Sequence, residues 1–119
     1  DGVLINSLIA SSKNKLESSH RLKLDEVTAS PKMSLVYDSL REVLEALSLK
    51  NGYKIYNHEC FSAFLKEILK EEDLSAKFDR FRKIRNSINY YGKTIDVNSA
   101  KEIIEEIKIM INKVLKIVK

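Results

Sequence analysis

The sequence predicts an all-α fold, an antiparallel up-and-down bundle of four to five helices. Three observations lead there. Apolar residues make up 44% of the chain and recur at steps of three and four, the spacing that gathers them on one face of a helix. Three glycines and one proline are too few for the turns of a sandwich or barrel. A length of 119 residues with 32% charged side chains suits one compact domain over residues 1–119, rather than two domains or extended disorder.

Taken in order, Ile5, Leu8, Ile9 and Leu16 predict a first helix. Its second half is weakened by Ser11-Ser12, Ser18-Ser19 and the alternating Leu22 and Leu24. Ser30-Pro31 offers an N-cap and a first-turn proline, and Asn51-Gly52 offers a stop. Between them Met33, Val36, Tyr37, Leu40, Val43, Leu44 and Leu47 form one apolar stripe. Asn57 is placed to cap a helix carrying Phe61, Phe64, Leu65, Ile68 and Leu69. The acidic run Glu71-Glu72-Asp73 suits a break followed by the positive N-terminal end of the next helix. That helix carries Leu74, Phe78, Phe81, Ile84, Ile88 and Tyr91, and Gly92 closes it. Ser99 and Glu102 read as a capping box for a last helix, with Ile103, Ile107, Met110, Val114 and Ile117 on its inner face. Ile104, Ile111, Leu115 and Val118 broaden that face, and a period near 3.6 over this length outweighs the β-branched content.

A net charge of +4 is too mild to assign a nucleic-acid partner, so the placement of the charge matters more. Three of the five arginines, Arg80, Arg82 and Arg85, fall within six residues, and residues 77–93 carry a net +5. Turning each residue by about 100° sets Leu74, Phe81, Ile84 and Ile88 toward the core and Arg82, Arg85, Asn86 and Asn89 on an adjacent arc. Tyr90 lies near Asn86 and faces the same way, whereas Tyr91 extends the core side. A guanidinium at the border of an apolar stripe is partly desolvated and offers a planar fork for phosphate or carboxylate. Two readings follow: Arg82 and Arg85 pair with bundle carboxylates such as Asp38, Glu42 or Glu45, or they line a ligand site. Two asparagines on the arginine side favour a site, because asparagine is a poor helix former.

The segment Arg82-Lys83-Ile84-Arg85-Asn86-Ser87-Ile88-Asn89-Tyr90-Tyr91-Gly92 resembles the signature of the HEPN domains, small helical proteins of prokaryotic toxin–antitoxin and defence systems. The order of Ser30-Pro31, Asn51-Gly52, Asn57-His58, Arg85-Asn86 and a long final helix is similar to that family over residues 30–119. The resemblance implies a homodimer whose arginine segments face each other across a cleft. It also implies RNA or nucleotide as ligand and a nucleotidyltransferase as partner. In the active ribonucleases of the family an arginine works with a histidine four to six residues on. Arg85 and Asn86 match, but Tyr90 stands at the histidine's place, and an ordinary phenol with a pKa of about 10 is a poor base at neutral pH. The expectation is therefore a non-catalytic binding module in which Arg82, Arg85, Asn86, Asn89 and Tyr90 hold RNA or nucleotide phosphate. The alternatives are a weak metal-independent ribonuclease using Arg85 and Tyr90, and a purely structural interaction domain.

Other chemistry is thinly represented. His58 and Cys60 are two residues apart on a helix and point away from each other, so no metal is expected. Neither His20 nor His58 stands where it could replace the missing histidine by sequence position. Cys60 reads as a buried or half-buried small residue, and three glycines cannot build a phosphate loop, so no cofactor is expected. Tyr90 or Tyr91 resembles the tyrosine that a partner nucleotidyltransferase modifies in some family members only loosely, because the preceding histidine is absent. One cysteine and no apolar run of roughly 18 residues point to the cytoplasm and away from a membrane. With no initiator methionine, native residues are expected before Asp1.

Overall fold

The computed structural model describes residues 2–118, and the side chain of Tyr91, expected on the core side, lies outside the described residues. Five α-helices follow one another: α1 (Gly2–Arg21), α2 (Ala29–Lys50), α3 (Glu59–Ala63), α4 (Glu72–Tyr91) and α5 (Val97–Val118). A π-helical turn, Phe64–Ile68, continues α3. No strand occurs among the described residues, and the chain is an all-α helical bundle.

The central element is α2, which packs on α1 and α5 and touches α4. Its expected stripe is buried throughout, from Met33 to Leu47. The start of α2 is set differently from the expected Ser30 cap. Asp25 Oδ1 accepts from the backbone N–H groups of Val27 (2.8 Å) and Thr28 (3.0 Å), and Thr28 Oγ1 accepts from the Asp25 N–H (2.9 Å). An aspartate bonding backbone two and three residues on closes a turn by itself. That turn starts the helix at Ala29 and leaves Pro31 inside the first turn, where a missing N–H is harmless. Likewise Asp96, not Ser99, caps α5: its two carboxylate oxygens accept from the Ser99 N–H and Oγ, each at 2.8 Å. The stops are where expected, with Gly52 at φ 83° and Gly92 at φ 63°, in the left-handed region open to glycine.

Two local expectations are overturned for packing reasons. The serines of α1 do not weaken it. Ser12 and Ser19 are buried, their hydroxyls donate to the carbonyls of Ile9 and Leu16, and Ser39 of α2 donates to the Ser12 carbonyl at 2.8 Å. Small side chains whose hydroxyls are satisfied locally let α1 lie close against α2. The helix after Asn57 is not uniform either. At Phe64 it widens, with the Leu69 N–H bonded to the Phe64 carbonyl at 3.2 Å, and Lys70 then turns with φ 59°. The extra residue in that turn breaks the three-and-four spacing, so Phe61, Phe64 and Leu65 are buried while Ile68 is exposed.

Lys32 shows how the α1–α2 pair is tied. It is 9% exposed, and its Nζ donates to the Ser19 carbonyl at 2.7 Å and the Leu22 carbonyl at 2.9 Å, satisfying the C-terminal end of α1. Burial, helped by Lys108, holds its pKa below the usual lysine value. Replacing Lys32 by methionine keeps the length and removes the donor, so both carbonyls lose a partner. Urea unfolding is expected to show a loss of about 1–3 kcal/mol, and an unchanged midpoint would refute the tie.

Candidate functional site

Two pieces of chain meet beside Tyr37. The ring of Tyr37, fully buried on α2, stacks on Phe78 of α4 at 5.7 Å and 22°, and Phe78 meets Phe61 of α3 edge-on at 5.9 Å. This aromatic group anchors the turn before α3 against α4. It brings His58 to Tyr37, with Nδ1 3.0 Å from the phenol oxygen and the two rings 5.8 Å apart. On α4, Arg85 reaches back toward α2, its guanidinium carbon 5.4 Å from the centre of the Tyr37 ring. The residue sits at the edge of the apolar face, with an 18% exposed side chain, as the helical turning predicts.

The result is a polar pocket of about 290 Å³. Helix α4 contributes Arg82, Arg85, Asn86 and Tyr90, and the turn into α3 contributes Asn57, His58 and Glu59. Four of the five expected site residues are thus brought together. Asn89 is exposed and does not line the pocket. The third clustered arginine, Arg80, points elsewhere, pairing with Glu106 of α5 and lying over the Phe81 ring at 5.2 Å. A larger hollow of about 520 Å³ beside Glu26 and residues 94–98 holds no cationic side chain, and Asp96 in its wall is committed to the α5 cap.

The two pocket arginines differ in what they have to spare. Arg82 is committed, with Nη2 and Nε both donating to Asp79 Oδ1, at 2.7 and 3.2 Å. Arg85 meets Asp38 at 3.5 Å, too long for a strong charge-assisted bond, and its Nε is shut from solvent with no partner among the described residues. Each arginine thus faces a carboxylate, Arg82 that of Asp79 on its own helix and Arg85 that of Asp38 on α2, and Arg85 makes the weaker pair.

His58 is held neutral at pH 7. Burial lowers its pKa first, the nearby guanidiniums of Arg41, Arg85 and Arg82 lower it further, and only Asp38 opposes them. Tyr37 is pushed above the ordinary phenol value by burial, with the same arginines opposing, so it keeps its proton. The phenol and Nδ1 share one hydrogen bond, the phenol donating when the imidazole proton is on Nε2 and accepting when it is on Nδ1. The pocket therefore holds guanidinium N–H groups and the Asn86 amide as donors, beside an imidazole whose Nδ1 is engaged.

No protein-family model and no curated protein matches the chain. Function is thus read from the pocket itself. Asn57, His58 and Glu59 are the members that sequence spacing missed, because they come to the α4 arginines through the fold and not along one helix. The available signal for His58 was a histidine at a helix start and a tyrosine 21 residues earlier in the α2 stripe whose hydroxyl needs a partner once buried. Cys60, expected to be at least half-buried, is exposed, since the helix turns it away from the Phe61 side. Among the described residues no helix is long and apolar enough to cross a membrane.

Proposed function

We propose that this pocket binds the phosphate of RNA or of a nucleotide, and that the protein is a HEPN-like, non-catalytic binding module. The observation that carries the reading is Arg85, a partly buried guanidinium that lines the pocket and whose ion pair with Asp38 is long. A phosphate oxygen at the open edge of that guanidinium makes a charge-assisted bond stronger than the 3.5 Å pair supplies. Arg82 and Asn86 line the same wall, and the exposed rings of Tyr90 and Tyr56 stand at or next to the pocket residues, where bases could stack. The HEPN reading also brings a homodimer and a nucleotidyltransferase partner, for which those rings supply contact surface.

Ribonuclease action is the second reading, favoured by an imidazole beside Arg85 in the same pocket. It is disfavoured by the motif, where Tyr90 and not a histidine follows Arg85 at the place of the proton-transfer group. The test is fluorescence anisotropy with a labelled ten-nucleotide oligouridylate, in EDTA and at several salt concentrations. Binding is expected to weaken with salt, with a logarithmic slope of about −0.7 to −1.4 for one or two phosphates on a single strand. Absence of binding at low salt removes the proposal, and EDTA-resistant cleavage that is lost in Arg85→Ala promotes the enzyme.

A further inference from the structure

We propose that His58 is a phosphate-contacting residue of this pocket and that it takes up a proton when a phosphate group binds. The inference rests on the binding reading above and adds a residue and a proton to it.

The geometry has three parts. His58 lines the pocket together with Arg82 and Arg85, so an anion seated between the arginines lies within the reach of its ring. The bond from Tyr37 to Nδ1 fixes the ring plane and leaves Nε2 as the polar atom available to the pocket. The rings of Tyr37 and Phe61 flank the imidazole, which is half-buried, so its charge state answers to its neighbours more than to bulk solvent.

The charged and titratable groups facing His58 are few. From α2 come Tyr37, Asp38 and Arg41, from α4 come Arg82, Arg85 and Tyr90, and its own segment supplies Glu59. Asp38 is already engaged by Arg85, at 3.5 Å. Burial and three guanidiniums oppose an imidazolium in the protein by itself. A bound phosphodiester adds a negative charge among those guanidiniums and an acceptor for the imidazole N–H, and both favour the protonated ring. In the imidazolium both ring nitrogens carry protons, so Nδ1–H donates to the phenol oxygen of Tyr37 and Nε2–H to the anion.

The sign follows from linkage. A group whose pKa is higher in the complex than in the free protein is protonated by binding, so affinity rises as pH falls from the bound-state value to the free-state value. It is level above and below that window. A shift of one unit corresponds to about tenfold in affinity.

The probes are the dinucleotide UpU, whose single diester charge is constant between pH 5 and 8, sulfate as a simple anion, and UMP as a terminal phosphate. The Hε1 resonances of His58 and of exposed His20 are titrated by NMR with and without saturating probe, and affinity is measured by calorimetry across the same range. The expected result is an upward move of the His58 midpoint by about one unit, a stationary His20, and UpU affinity some threefold to tenfold higher at pH 5.5 than at pH 8. In His58→Gln the amide keeps a donor, so UpU still binds but its affinity is flat with pH. Tighter UMP than UpU assigns the pocket to a nucleotide's terminal phosphate, the reverse assigns it to a backbone diester, and sulfate binding with the same proton uptake supports the shared chemistry. Binding that needs Arg85 but leaves the His58 midpoint in place overturns this inference and keeps the binding reading. No binding of any probe at any pH overturns both, and the wild-type titration decides the matter even if His58→Gln does not fold.

Discussion

Arg85→Ala is expected to weaken UpU binding about 10- to 100-fold while lowering the stability of the domain by no more than about 1–2 kcal/mol. The binding estimate comes from losing a charge-assisted hydrogen bond, about 1.5–3 kcal/mol, with each 1.4 kcal/mol worth a factor of ten. The stability estimate is small because the arginine's native contacts are weak ones. Its pair with Asp38 is 3.5 Å long and partly open to solvent, side chains 18% and 27% exposed, and such pairs contribute roughly 0–1 kcal/mol. Its position 5.4 Å over the Tyr37 ring adds about 0.5–1 kcal/mol. Once Arg85 is gone Asp38 still reaches water, and the buried Nε that had no partner is removed with it. Arg85→Lys keeps the charge and loses the fork, so it should bind UpU with an intermediate affinity. The measurements are calorimetric titration with UpU and urea unfolding of the same preparations. An Arg85→Ala protein as unstable as a large core truncation would show the arginine to be an internal tie, and the pocket would lose its ligand.

The parts of this structure that were legible in the sequence are those decided locally. The stop at Asn51-Gly52, the close at Gly92 and the stripe from Met33 to Leu47 depend on backbone freedom and on a period of 3.6, and all three are found. The arc of Arg82, Arg85, Asn86 and Tyr90 was legible for the same reason, since one helix carries all four. What escaped depends on other segments. The helix starts fell upstream of the expected serines, because Asp25 closes a turn that starts α2 at Ala29 and Asp96 takes the capping bond from the Ser99 N–H. The serines of α1 look like helix weakeners until α2 is laid against them. Ile88 has core spacing but sits near the end of α4, where it packs against the edge of the core and is half-buried. His58 needed the Tyr37–Phe78–Phe61 group to bring it to Arg85, a contact between residues far apart in the chain.

That same group makes Phe78→Ala the most damaging single substitution expected. Phe78 is fully buried, stacked on Tyr37 and edge-on to Phe61, so truncation opens a cavity between α2, α3 and α4. Such a change costs about 3–5 kcal/mol, a large share of the roughly 5–15 kcal/mol that holds a domain of this size. The melting temperature should fall by about 10–20 °C, taking about 4 °C per kcal/mol for this chain length. Phe81→Ala separates the core effect from the site effect. Phe81 is equally buried on the same helix, but Arg80 lies over its ring and among the described residues it makes no ring contact with Tyr37 or His58, so its loss should be similar in stability. At a temperature where both variants are folded, Phe78→Ala frees Tyr37 and Phe61 to shift, loosening the Tyr37–His58 bond and opening the imidazole to solvent. Burial is the largest cause of the low His58 pKa, so the midpoint should move up toward the ordinary histidine value in Phe78→Ala and stay in place in Phe81→Ala. Equal midpoints in the two variants would mean that the aromatic group supports the bundle without holding the pocket. A selective shift would show that the ring of Phe78, which touches no ligand, keeps His58 neutral through Tyr37.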